Sequence, residues 1–257
     1  MTTWDLRAFG RAFAATLIGL VVVWLVTAAS DEGQLTVATR AGRTLPIAPL
    51  CSAVGAVVAL ATARVRSETR ALEALGRTPG ENALAAAAGA ALPSLIVATI
   101  IMASAALDVS GFYPRPMRGD DFEFERSSRT FVSASLAVRV EPDGKTSPAP
   151  GLTPVDDGLP LGARRWAAIA TGLAGVALPL VAARATLRPS LSTRERRRRQ
   201  RFLAGVGVFG CLLVTLVAFQ AAAAHVMSAG FVAAPPLALL IVALFGYRAH
   251  RGASHVQ

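Results

Sequence analysis

The stretch VRSETRALEALGRTPGEN (Val65–Asn82) separates two long apolar runs and reads as one helix that stops and another that starts. Glu68, Leu72 and Leu75 share a face at i, i+4 and i+7, with Ala71 beside them, while Arg66, Arg70, Glu73 and Arg77 share the other. Glu73 and Arg77 stand in the favourable acid-first i,i+4 order. Gly76 suits a left-handed C-terminal cap. Thr78 follows as an N-cap, Pro79 as the first helical residue and Glu81 as the second half of a capping box. The pattern predicts a short two-faced helix over Val65–Gly76, then a defined start for the next element.

The surrounding chain is membrane-like. Its 257 residues are 53% hydrophobic and 16% charged, with a mean hydropathy of +0.50, outside the usual range of soluble domains. Six apolar runs approach or reach the length needed to cross about 30 Å of hydrocarbon. They are Phe13–Ala29, Leu45–Ala63, Ala83–Leu107, Trp166–Ala183, Phe202–Met227 and Phe231–Tyr247. The first, preceded by Arg7 and Arg11, is read as a retained span and not as a cleaved leader, because its core is long and five runs follow. Cys51 and Cys211 lie inside apolar runs and read as small buried hydrophobes.

Charge placement predicts orientation. If the N-terminus, Arg64–Asn82, Arg184–Arg201 and the C-terminus share one side, that side holds 16 Lys/Arg and 5 Asp/Glu. The other side then holds 10 Lys/Arg and 11 Asp/Glu. Basic residues stay on the cytoplasmic face, so both termini are predicted inside. The net charge of +10 is thus a topology signal. The cluster TRERRRRQR (Thr193–Arg201) reads as an anchor to anionic headgroups, and without interleaved aromatics it does not suggest nucleic acid.

The 58 residues of Asp108–Arg165 are the one segment long enough for an extramembrane domain. TFVSASLAVRV (Thr130–Val140) alternates as a half-buried strand, with Val132, Ala134, Leu136, Val138 and Val140 on one face. DDFEFER before it alternates too, and EPDGKTSPAPGLTPVDDG after it reads as turn and linker. Two or three strands are predicted, a small appendage. The expected fold class is an all-α membrane protein of six transmembrane helices, with a short cytoplasmic helix and a small β-containing external insertion. Its parts are 1–107, 108–165 and 166–257.

A short amphipathic helix on the cytoplasmic face can lie with its leucines in lipid or offer its edge to a soluble partner's groove. SETRALEALGRTP (Ser67–Pro79) resembles the segment after the second span in permeases of the lipopolysaccharide export family, the LptF/LptG type, approximately S-E-L-x-A-L-x-A-x-G-x-S-P. Ser67, Glu68, Ala71, Leu72, Ala74, Gly76 and Pro79 match, Thr78 takes the serine position, and Thr69 departs from the usual leucine. LPIAPL opens the second run with Pro46 and Pro49, and FQAAAAHVMSAGFVAAPPLALLI carries Gln220, Gly230 and Pro235 at positions like the family's landmarks. The arrangement of three spans, an external domain and three spans is also similar.

The resemblance implies a non-enzymatic permease subunit of an ABC-type exporter, moving lipopolysaccharide or a related lipid out of a bacterial inner membrane. It implies pairing with a copy of itself or a homologous permease, and docking of the short helix on a cytoplasmic ATPase subunit. Glu68 would then make the polar contact, Leu72 and Leu75 the apolar ones, and Gly76 the helix end. The family's external jelly-roll is far larger than 58 residues, so a membrane scaffold or assembly protein that keeps only the bundle is the alternative. Family members carry basic residues at the outer end of the first span, where this chain has Asp31 and Glu32. Arg40, Arg43, Arg164 and Arg165 could meet lipid phosphates instead, or serve as snorkelling anchors. His225 is expected at the outer end of its run. The span cores hold no Asp, Glu, Lys or Arg, which argues against ion coupling. No nucleophile–base pair, metal cluster or phosphate loop suggests an enzyme, a cofactor or a metal. Ala15/Gly19, Ser52/Ala56, Gly172/Gly175 and Gly205/Gly207/Gly210 are spaced for close helix contact.

Overall fold

The computed structural model describes residues 2–30, 35–104, 107, 109, 112–113, 122–133, 138–149, 162–187, 194–224 and 226–253. Asp31, Glu32 and His225 lie outside the described residues. The helices are α1 (Thr3–Ser30), α2 (Val37–Thr44), α3 (Ala48–Ala61), α4 (Ala63–Ala74), α5 (Pro79–Ala103), α6 (Ala163–Thr186), α7 (Arg194–Ala223) and α8 (Ala234–Ala253). Five helical segments are long and apolar enough to cross a membrane: Thr3–Ser30, Val37–Ala61, Pro79–Ala103, Ala163–Thr186 and Arg198–Ala223. These mark a multi-pass membrane protein. The sixth predicted run forms a shorter apolar helix, Ala229–Phe245, opening in a 3-10 turn.

Several boundaries differ from the hydropathy reading because polar caps extend helices beyond their apolar cores. α1 begins ten residues before Phe13, where Thr2 and Asp5 close a reciprocal cap: Asp5 N–H donates to Thr2 Oγ1 and Thr2 N–H to Asp5 Oδ2. Part of the connection expected before the second run is helical: α2 leads through a 3-10 turn into α3, and its N-cap Thr36 accepts from Thr39 N–H.

The bundle sorts side chains by size. α6 lies centrally, packed on α3 and α5 on one side and on α7 and α8 on the other, while α1 packs on α3 and α5. On α5 the buried face is Ala83, Ala86, Ala87, Ala90, Ser94, Val97 and Ile101; Leu84, Leu92, Leu95, Ile96 and Ile100 point outward. In lipid no hydrophobic force draws large apolar residues inward, so small ones take the contacts where backbones must approach. A methyl group on Gly55 would collide with Thr16 of α1, one on Gly89 with the Phe9 carbonyl, and one on Gly175 with Ser94. Of the sequence's small-residue pairs, Gly172 and Gly175 do face α5, but Gly205, Gly207 and Gly210 meet open space on α7. Buried hydroxyls are satisfied locally: Thr16 donates to the Ala12 carbonyl at 2.9 Å, and Ser52 and Ser94 join α3 to α5 at 2.5 Å.

The insertion carries a four-stranded antiparallel meander in the order β1 (Phe122–Glu125), β2 (Thr130–Ser133), β3 (Val138–Val140), β4 (Thr146–Pro148). Thr130–Val140 is therefore a pair of strands and not the single strand expected. Val132 pairs with Arg139, and Ser133 with Val138, so Val132 and Val138 lie on opposite faces. The segment read as linker supplies β4 through a turn with Gly144 at φ 83°. Nearer the bundle, Tyr113 stacks on Phe219 of α7 with centroids 3.7 Å apart.

Gly89→Leu is expected to lower stability by about 3 kcal/mol, because the Phe9 backbone cannot move aside. Gly205→Leu, facing open space, should change it by less than about 0.5 kcal/mol. Thermal unfolding in detergent checks both.

Candidate functional site

The α4 region has a defined start and a defined end. Thr62 caps its start, accepting from Val65 N–H. At its end Gly76, at φ 92°, lets Gly76 N–H reach the Glu73 carbonyl and Arg77 N–H the Leu72 carbonyl, each at 3.0 Å. This is a Schellman termination. The capping box at Thr78 and Glu81 then starts α5, with Pro79 in its first turn. Stop and start occupy five residues.

The helix turns differently from the pattern reading. Val65 and Thr69 are buried, and Leu72 packs against the core of α1, α3 and α5. Thr69 has taken the inward place, its hydroxyl donating to the Val65 carbonyl. Glu68 also faces the bundle: Arg64 Nε donates to it at 3.1 Å and Arg11 of α1 lies 3.9 Å away. The predicted edge of Glu68, Leu72 and Leu75 is thus divided. Leu75, 82% exposed, projects outward beside exposed Gly76. The outward face of α4 is Ser67, Arg70, Ala71, Ala74 and Leu75.

Arg77 leaves its expected partner Glu73 and crosses to α1. Its guanidinium donates to Asp5 Oδ1 at 2.8 Å and to Thr2 Oγ1 at 3.3 Å, and lies 5.7 Å from the Trp4 ring centroid. Asp5 is buried and held by three donors in all, two from Thr2 and one from Arg77. With Arg11–Glu68, this ties the middle of α4 and the turn after it to the first turns of α1. Sequence reasoning missed Asp5; the available signal was an acid ahead of a span flanked only by bases. Beside the junction, Asn82 is fully buried with both amide atoms unpartnered. Burial pushes the Glu73 carboxyl up, partly offset by Arg70.

The four arginines considered for lipid lie at the other end of the bundle. Arg164 donates to the Ser104 carbonyl at 2.8 Å and caps α5. Arg40 sits over Trp24 at 5.8 Å. Arg43 and Arg165 are exposed. Missed altogether was Arg184, which reaches the Ala243 carbonyl at 2.8 Å and joins α6 to α8. Among the described residues, no three His, Cys, Asp or Glu side chains gather as a metal site.

Comparison with family models, with curated proteins and with solved structures finds no match to this chain.

Asp5→Asn and Arg77→Gln are each expected to cost about 2 kcal/mol, and the double variant little more, since either change breaks one charge-assisted contact. Thermal unfolding of the three variants checks this. Glu73→Gln should stabilise the protein slightly at neutral pH, where the half-buried carboxylate is disfavoured. That gain should fade as pH falls and the native carboxyl protonates, read as converging unfolding temperatures.

Proposed function

We propose that the chain is the permease subunit of an ATP-driven lipid exporter, of the kind its Ser67–Pro79 motif resembles, with lipopolysaccharide or a related lipid as cargo. The observation that carries this reading is α4: a short helix with defined ends, tied to α1 and presenting Leu75 outward. A partner ATPase would grip the outward face of α4, with Leu75 in a pocket and Arg70 at the rim. Glu68 would act from within, passing displacement to α1 through Arg11. ATP hydrolysis would come from the partner chain.

In this reading the α4 end of the bundle is cytoplasmic, and α8 with its 3-10 turn is the sixth span. Five residues at about 2 Å and twelve at about 1.5 Å give roughly 28 Å for Ala229–Phe245, near the thickness of the hydrocarbon. A copy of the chain or a homologue would pair along the outer helices. On α1, Ile18 and Leu25 are 64% and 60% exposed, and on α7 Phe209 is 65% exposed. Arg43 and Arg165 would meet headgroup phosphates at the outer surface.

The meander favours a second reading. Its strands are only three or four residues long, too small for an export jelly-roll, which suits a scaffold that retains the bundle alone.

Purification of the tagged chain in mild detergent, with identification of co-purifying chains, separates the two. For the exporter, an ATPase is recovered. Leu75→Glu then reduces its recovery by about thirtyfold, as loss of an apolar anchor worth ~2 kcal/mol would, without changing the unfolding temperature. Glu68→Arg lowers both. Absence of any ATPase after cross-linking in membranes overturns the exporter reading.

A further inference from the structure

The strand register gathers a feature that the linear sequence disperses. Phe124 pairs with Phe131 and Phe122 with Ser133, so the three phenylalanines lie on one face of the sheet. Phe122, Phe124 and Phe131 are 51%, 51% and 49% exposed, and the Phe124 and Phe131 rings stand 5.1 Å apart. Val138, Val140 and Pro148 continue that face across β3 and β4. The opposite face carries Glu123, Glu125 and Arg139, with Glu125 held by Ser128 at 2.7 Å and Arg139 at 3.2 Å. Exposed Arg126 and Arg129 sit in the turn that joins the two aromatic strands.

We propose that this aromatic face is a membrane-surface contact: the β1–β2 hairpin lies on an anionic bilayer with Phe122, Phe124 and Phe131 at the headgroup boundary. The inference holds whether or not the bundle exports lipid. Three considerations select a bilayer over a protein. First, the sheet is strung between two spans. Eighteen residues separate Ala103 from Phe122 and fourteen separate Pro148 from Ala163, so the shorter tether keeps it within about 50 Å of a helix end, always beside lipid. Second, charge is sorted for such a surface. The acids face away from it, while the turn arginines flank the aromatic pair and can reach phosphates.

Third, a second copy fits poorly. The face measures about 14 Å by 19 Å, so two stacked copies would cover roughly 500 Å², half of what a specific interface needs. Pairing along the free edge of β1 would set Glu123 against another glutamate when phenylalanines meet phenylalanines, and like charges opposite one another are destabilising.

The test is spin-label accessibility on the full chain in lipid nanodiscs, with buried Cys51 and Cys211 replaced by alanine. Single labels are placed at Phe124→Cys and, on the opposite face, Glu123→Cys. The expected result is a several-fold higher ratio of oxygen to nickel-chelate collisions at 124 than at 123. That difference should be larger with phosphatidylglycerol than with phosphatidylcholine alone. Arg126→Gln with Arg129→Gln should remove the lipid-charge dependence. Equal, water-like accessibility at both positions overturns the proposal. So does spin–spin broadening at 124 that disappears on dilution with unlabelled chain, which would identify a second copy as the occupant.

Discussion

Close approach at a few glycines organises the packing of α1, α3, α5 and α6. Where α1 meets α3 at Thr16 and Gly55, α1 meets α5 at Phe9 and Gly89, and α5 meets α6 at Ser94 and Gly175, a glycine faces either bare backbone or one small side chain. Dispersion falls off steeply with distance, so contacts at van der Waals range supply the attraction that water supplies to a soluble core. Everything else follows the spacing so set. Alanine fills most of the inner faces, many leucines and isoleucines point outward, and buried hydroxyls such as Thr16, Ser52 and Ser94 bond within their own helix or across one tight gap.

That tightness gives α4 its mechanical character. A short helix connected by flexible chain could shift without moving anything. Here its inner side is packed through Val65, Thr69 and Leu72, and two ion pairs fasten it to α1. Force applied to the outer side reaches α1 directly, and α1 in turn is seated closely on α3 and α5. The least packed surfaces of the spans, on α1 and α7, are the ones free to change neighbours.

Much of this is legible in the sequence, and the gaps have physical causes. The caps around Gly76 and Thr78 depend on residues within one turn, so local pattern suffices. The apolar runs likewise report lipid exposure directly. The face of α4 was misjudged because amphipathicity ranks Glu68 as outward and Thr69 as neutral, whereas the packed bundle offers Glu68 the guanidinium of Arg11 and accepts Thr69 by satisfying its hydroxyl internally. The strands failed for another reason. Alternation across Thr130–Val140 assumes one continuous strand, and a four-residue connection between Ser133 and Val138 reverses parity, exchanging the two faces. α2 is only eight residues long, two turns, which leaves its two-faced pattern easy to pass over. Asp5–Arg77 spans 72 positions, beyond the reach of pattern.

That separation bears on how the chain is made. The contacts of α1 with α3 and α5, and the bridge from Asp5 to Arg77, are all internal to the first 103 residues. During synthesis the start of α1 has no charged partner until the turn at Arg77 has left the ribosome. From then on, the N-terminal half can close into a unit while α6, α7 and α8 are still being translated. α6 comes next in the chain and packs on α3 and α5 as well as on α7 and α8.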